Sequence, residues 1–271
     1  MAFLINGANI KIGPAGSSGL GNLKGIEHCK ELGLQAMEVE FTHGVQMGNS
    51  TAFEIGKLAV ELGIDLSVHA PYFVNLTSLE KAKIEASKKR ILTSCERANH
   101  LGAKNVIFHA AFYGKENPEA VYSKVKDEIL EMMKYIKEKK WNVVLCPETT
   151  GKQSQFGTVD ELMQLHKETG CGLCVDFAHI YARASGKIDY DEVFKKLMLE
   201  KASLKHIQAH FSGIEYGPKG ERKHILTKKE FFRPLLDAII SAKANITIIN
   251  ESPDPLRDCV MMKKMVEEKK N

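Results

Sequence analysis

Eight short apolar runs recur along the chain, and this repetition limits its possible folds more than any other feature. They read FLING (3–7), AMEVEF (36–41), DLSVHAP (65–71), NVIFHAA (105–111), NVVLCPET (142–149), GLCVDFAH (172–179), HIQAHFS (206–212) and ITIINES (246–252). Near-continuous apolar character, without strict alternation, is the pattern of strands covered on both faces. Helical patterns with recognisable stops lie between them: Leu23–Leu32 before Gly33, Ser50–Leu62 before Gly63, Ser78–Leu101 before Gly102, and Thr158–Thr169 before Gly170. Thr158 and Glu161 stand at capping-box spacing, and glycine just past a helix serves as its left-handed cap. Pro118–Lys140, Ile188–Glu200, Thr227–Ala242 and Leu256–Lys270 complete the set. Strands alternating with helices imply parallel pairing through right-handed crossovers. Eight such units in 271 residues predict a closed (β/α)8 TIM barrel, a single domain over residues 1–271. An open doubly wound sheet fits less well, because Gly13, Gly16, Gly19 and Gly21 do not have the phosphate-loop spacing GxGxxG.

With 44% hydrophobic and 27% charged residues, the chain has the composition of a compact domain rather than of a disordered or collagen-like one. No stretch approaches the roughly 18–20 apolar residues of a membrane span. The start, MAFLINGANIKIG, has no charged segment ahead of its short apolar run, so the expectation is a cytoplasmic protein without a signal peptide. Six scattered cysteines then read as free buried thiols in a reducing compartment. Cys171 and Cys174 have redox spacing but run into a strand, which assigns them to the core. The net charge of +4, from 38 basic and 34 acidic residues, permits a polyanionic partner without arguing for one.

In a barrel of this kind, chemistry gathers at the C-terminal ends of the strands. Strand three of the pattern ends in His69, strand four in His109 and strand five in Glu148. Strand six carries Asp176 and, three residues on, His179; strand seven carries His210 and strand eight ends in Glu251. Any one of these alone is ordinarily a hydrogen-bonded core group or a helix cap. Six consecutive strands delivering a His or carboxylate to one rim are different, because burying so many ionisable groups without compensation is prohibitively costly. A divalent metal is the simplest compensation. Imidazole and carboxylate donors without a thiolate suit Zn, Mn or Fe(II).

The segments HAPYFVNLTS (69–78), PETTGKQSQFG (147–157), CVDFAHIYARA (174–184), HFSG (210–213) with KGERKH (219–224), and INESP (249–253) resemble the endonuclease IV family of apurinic/apyrimidinic endonucleases. That family lies within the xylose-isomerase-like barrels, and the resemblance runs in order through nearly the whole chain. It implies a monomeric hydrolase of DNA repair that cuts the phosphodiester 5′ to an abasic site in duplex DNA, with a cluster of two or three zinc ions. By the same resemblance, His69 and His109 would hold the first ion, with Glu148 bridging to a second completed by Asp176, His210 and Glu251. Glu148 and Glu251 would be the catalytic carboxylates. His179 and His224 would hold the third ion. Tyr72 and Phe73 match the pair that the family wedges into the base stack; a loop staple packing on the next helix is the plain alternative. Lys115, Lys152, Arg183, Lys219 and Arg222 would supply a basic mouth for phosphates.

One position departs from the family. An aspartate normally stands two residues before the last histidine, and this chain has Arg222-Lys223-His224. The expectation is therefore a weakly held third ion, with Arg222 turned towards a DNA phosphate, unless Glu221 reaches inwards. The runner-up function is a sugar or sugar-phosphate isomerase or epimerase on the same barrel. A barrel that only binds damaged nucleic acid is a third reading, disfavoured by so reactive a donor set.

Overall fold

The first apolar run does not enter the barrel. Asn6 and Gly7 take positive φ angles of 48° and 92°, as the two central residues of a tight Asn-Gly hairpin turn require. Phe3–Ile5 (β1) therefore folds back antiparallel on Ala8–Pro14 (β2), and β2 is the first barrel strand. The computed structural model describes residues 2–198 and 204–269. The remaining strands are β3 (Ala36–Glu40), β4 (Asp65–His69), β5 (Asn105–Phe108), β6 (Val144–Pro147), β7 (Cys174–Asp176), β8 (Ile207–Phe211), β9 (Gly213–Gly217), β10 (Gly220–Ile225) and β11 (Asn245–Asn250).

Strands β3-β4-β5-β6 form one parallel run, and β2-β11-β8-β7 form the other. Parallel bridges from Ala15 to Glu38 and from Glu148 to Cys174 close the two runs into an eight-stranded barrel. Gly13 sits at one seam. A Cβ there would land on the Ala36 carbonyl, so only glycine lets β2 approach β3 this closely.

The helices are α1 (Asn22–Glu31), α2 (Asn49–Leu62), α3 (Lys81–Leu101), α4 (Pro118–Glu138), α5 (Val159–Thr169), α6 (Phe177–Arg183), α7 (Tyr190–Met198), α8 (Lys229–Ser241) and α9 (Pro255–Glu268). Left-handed caps end α2, α3 and α5 at Gly63, Gly102 and Gly170, and the Thr158–Glu161 capping box is fully formed. Three elements differ from the pattern-based expectation. Helix α3 begins at Lys81 rather than Ser78, because Ser78 Oγ accepts from the Glu80 amide in a local turn. Thr227 does not open α8; its amide donates instead to Asp258 Oδ2 at 2.6 Å. The short α6 is additional. The expected helix ends at Leu199–Glu200 and Lys270 lie outside the described residues.

The core lies between strands and helices, where Phe108, Phe156, Phe177 and Phe232 are fully buried. All six cysteines are free and buried, and burial alone pushes the Cys29 thiol up to about 12. No helix among the described residues is long and apolar enough to cross a membrane. The barrel interior is more polar than its walls. Asn105 donates to Gln208 at 3.2 Å, Gln208 to Ser67 at 3.3 Å, and Ser67 to Glu38 at 2.6 Å. This chain of hydrogen bonds leads up to the rim.

Candidate metal centre

Glu148 follows β6 and is fully buried, and its two oxygens face different partners. Oε2 lies 3.3 Å from His69 Nε2 and 3.0 Å from His109 Nε2. Oε1 lies 3.1 Å from His210 Nδ1 and 3.4 Å from His179 Nδ1. One carboxylate thus stands between two sets of imidazoles. Burial opposes its charge, but His109 and His210 outweigh burial and hold the carboxyl well below its usual range.

Three groups of donors meet within 4.8 Å: His69, His109 and Glu148; Glu148, Asp176, His210 and Glu251; and Asp176, His179 and His224. All eight positions expected from the sequence are therefore brought to one rim. Several of the imidazoles are oriented by their second nitrogen. His69 Nδ1 donates to the Ala70 carbonyl at 2.8 Å, and His179 Nδ1 to the Thr149 carbonyl at 3.0 Å. His224 Nδ1 donates at 2.7 Å to Ser212 Oγ, whose own proton goes to the Gly213 carbonyl. Such partners fix the tautomer and leave one ring nitrogen free for a metal.

The donor set fits divalent ions on two observations. Asp176 Oδ2 is buried with no hydrogen-bond partner, an expensive arrangement unless a cation takes the lone pair. Three of the imidazoles, His69, His179 and His210, are also pulled towards the charged form by the crowding of carboxylates. Burial lowers the His69 pKa, yet the Glu148 hydrogen bond and the charges of Glu40, Glu148 and Glu38 raise it to about 10. His179 and His210 are likewise raised, and burial pushes the Glu251 carboxyl well above its usual range. A divalent ion compensates the same carboxylates without those protons.

Two acidic residues at this rim escaped the sequence reading. Glu38 is fully buried on β3, with Oε1 2.9 Å from His210 Nε2, so it backs the imidazole whose Nδ1 faces the cluster. Glu40, two residues on, has a buried oxygen without a partner, and burial raises its pKa to about 7. The only signal was the alternation of the two acids within the apolar run AMEVEF.

Tyr72 and Phe73 lie in the loop that follows β4, 56% and 67% exposed, and the Tyr72 ring is 5.6 Å from that of His69. Val74 and Leu76, further along the same loop, are buried in the core, whereas Tyr72 and Phe73 are left exposed. Of the basic residues, Lys115, Lys152, Lys219 and Arg222 are exposed. Arg183 is not available to a ligand in the same way. Its guanidinium donates to Thr150 Oγ1 at 3.1 Å and to the Lys152 and Gln155 carbonyls at 2.7 and 2.8 Å, locking the loop after β6. Arg222 points away from the donors and lies against Gly217. Glu221 does turn inwards, with Oε2 3.4 Å from His179 Nε2. His206 is at the opposite end, bonded to Asn245.

The profile of the xylose isomerase-like TIM barrel family matches residues 26–258. An uncharacterised protein of Methanocaldococcus jannaschii is 39% identical over 255 residues, covering 90% of this chain and 92% of that protein. A probable endonuclease 4 of Mycoplasmopsis pulmonis is 30% identical over 202 residues, 70% of each chain. The fold is similar to that of endonuclease IV from Thermus thermophilus, with a TM-score of 0.72 at 21% identity over 95% of this chain and 99% of that one. It is similar also to a D-psicose 3-epimerase from Clostridium cellulolyticum, with a TM-score of 0.70 at 12% identity over 95% and 98%. A rim of this construction, on this barrel and with these relatives, belongs to the xylose isomerase-like TIM barrel family, and within that family the chain is a member of the endonuclease IV group.

Proposed function

We propose that this protein is a divalent-metal-dependent, most simply zinc-dependent, endonuclease that hydrolyses the phosphodiester 5′ to abasic sites in duplex DNA. The observation that carries the reading is a buried, carboxylate-bridged donor set with an exposed aromatic, Tyr72, whose ring lies 5.6 Å from that of His69 and which is followed in the chain by the exposed Phe73. His69, His109 and Glu148 Oε2 would hold one ion, and Glu148 Oε1, Asp176, His210 and Glu251 a second. Ions bound there would supply positive charge for the phosphate oxygens and lower the pKa of water at neutral pH.

The chain's own residues do the rest. Glu148 stands between the two donor sets, and Glu38 sets a carboxylate oxygen 2.9 Å from His210 Nε2 while His210 Nδ1 faces Glu148. Tyr72 and Phe73 would offer a base stack exposed apolar surface on the loop that follows His69. Unstacking a step costs a few kcal/mol, and least where a base is already missing. Lys152, Lys219 and Arg222 border a cleft of about 480 Å³ beside the loop after β6, suited to backbone phosphates. A rim that must admit a duplex is consistent with action as a monomer.

The experiment is a comparison of three substrates with the purified, zinc-loaded chain: a duplex with one abasic analogue, the same duplex undamaged, and a free ketohexose. Incision of the abasic strand alone is expected. Epimerisation of the ketose without incision would move the chain to the sugar-transforming side of its family.

A further inference from the structure

A TIM barrel is ordinarily filled by branched apolar side chains. One side of this interior follows the rule, where Ile107, Cys146 and Cys174 pack together with Val144. The other side does not. Glu38 on β3, Ser67 on β4 and Gln208 on β8 are all buried there, and their contacts cross the barrel twice. Gln208 reaches over to Ser67 at 3.3 Å, and Ser67 turns at 2.6 Å to Oε2 of Glu38, its neighbour in register. Glu38 Oε1 then faces back to His210 Nε2 at 2.9 Å. The path leaves β8 and returns to it two residues further along, at a donor of the metal centre.

The directions of these bonds are set by the groups themselves. A carboxylate only accepts, so the Ser67 proton goes to Glu38, and a Ser67 lone pair is left to take an N–H of Gln208. That orients the Gln208 amide, with Nε2 towards Ser67 and Oε1 towards Asn105, which donates to it at 3.2 Å. Each group in the series therefore holds the next in one orientation, and Glu38 is left with Oε1 for His210. Glu38 is closed to solvent, so no substrate reaches it. It acts on the centre through His210, whose Nδ1 lies 3.1 Å from Glu148 Oε1 and 3.2 Å from Glu251 Oε1.

We infer that Ser67 and Gln208 are positioning residues of the metal centre, acting through Glu38 to hold His210 with Nδ1 towards Glu148 and Glu251. The inference rests on the metal-centre reading above and deepens it. Strand β8 carries both the donor, His210, and, two residues earlier on the same face, the side chain that opens the series fixing it. The orientation of one donor is thereby tied to the layer of the barrel beneath it, in side chains that lie inside the barrel and away from the substrate face.

The test is zinc affinity, measured without DNA by competition with a chromophoric chelator. Ser67→Ala and Gln208→Met each remove one bond of the series and should bind zinc about tenfold more weakly, the lower end of what a partner behind a ligand contributes. Ser67→Thr keeps the hydroxyl, and Ser67 borders a cavity of about 540 Å³ at the end of the barrel away from the rim, which leaves room for the added methyl. Its zinc affinity should match that of the unmodified protein. In a Glu38→Met background there is no carboxylate to hold, and Ser67→Ala should cost nothing further. Unchanged affinity in both single variants, a loss in Ser67→Thr equal to that in Ser67→Ala, or the same tenfold loss with Glu38 already replaced would each overturn the inference. Abasic-duplex incision by the unmodified protein separates the two failures. A chain that incises while its variants hold zinc normally sinks only the positioning role, and one that does not incise while its variants lose zinc as expected sinks only the nuclease reading.

Discussion

Glu148 concentrates the account in a single side chain, because its two oxygens serve different imidazoles. Glu148→Gln replaces one of them with an NH2 that cannot accept, at a position where the loss leaves no cavity. Incision should fall by about 10³-fold or more while the melting temperature moves little. Near-normal incision by the variant would remove Glu148 from the bridge. Glu38 acts at one remove, through His210. Partners of this kind typically contribute about 10–100-fold in metal affinity, and Glu38→Gln should weaken zinc by that factor in competition with a chromophoric chelator. Unchanged affinity would make Glu38 a merely buried acid. The strand-end residues His69, His109, Glu148, Asp176, His210 and Glu251 were legible in the sequence because a polar group ending an apolar run stands out. Glu38 and Glu40 were not, since nothing in AMEVEF tells an acid facing the barrel interior from one on a solvated strand face.

The loop after β4 carries the DNA-facing claim. Replacing Tyr72 and Phe73 together by Ala should weaken binding to abasic duplex by about 1.5 to four decades, from about 1–3 kcal/mol for each of two base–aromatic contacts, with zinc content unchanged. Equal binding by the double variant would leave the pair without a role in recognition. Barrel closure has its own weak point at Gly13, where any side chain strikes the β3 backbone. Gly13→Ala should cost at least about 2 kcal/mol and lower the melting temperature by roughly 5 °C; an unchanged melt would show that the seam can open without loss. Among the elements, seven of the eight parallel strands and their helices follow from hydrophobic pattern and glycine caps, while the first barrel strand, Ala8–Pro14, is hidden behind the run before it. The two hairpins do not. The Asn6-Gly7 turn was masked by a continuous apolar run on either side, and GIEYGPKGERKHI has too few apolar residues for any period to show. The inward turn of Glu221 depends on a bulge, which slips register without leaving a compositional mark.

At the scale of the whole molecule, the barrel sets donors from six strands around one carboxylate, and an exposed aromatic pair and a basic hairpin surround them at the same end. The opposite end is lined by residues such as Lys11, Asp65 and His206 and has no part in this chemistry. The helices pack around the strands that carry the donors. Metal is then the one component that the chain itself cannot supply. The direct measurement is incision of a duplex with a single abasic analogue by the protein stripped of metal, and again after zinc is restored, with the product ends sequenced. The account predicts no cutting by the stripped protein, recovery with zinc, and a break on the 5′ side of the abasic position. Undiminished incision by protein verified to be free of metal, or none by the fully loaded chain, would contradict it.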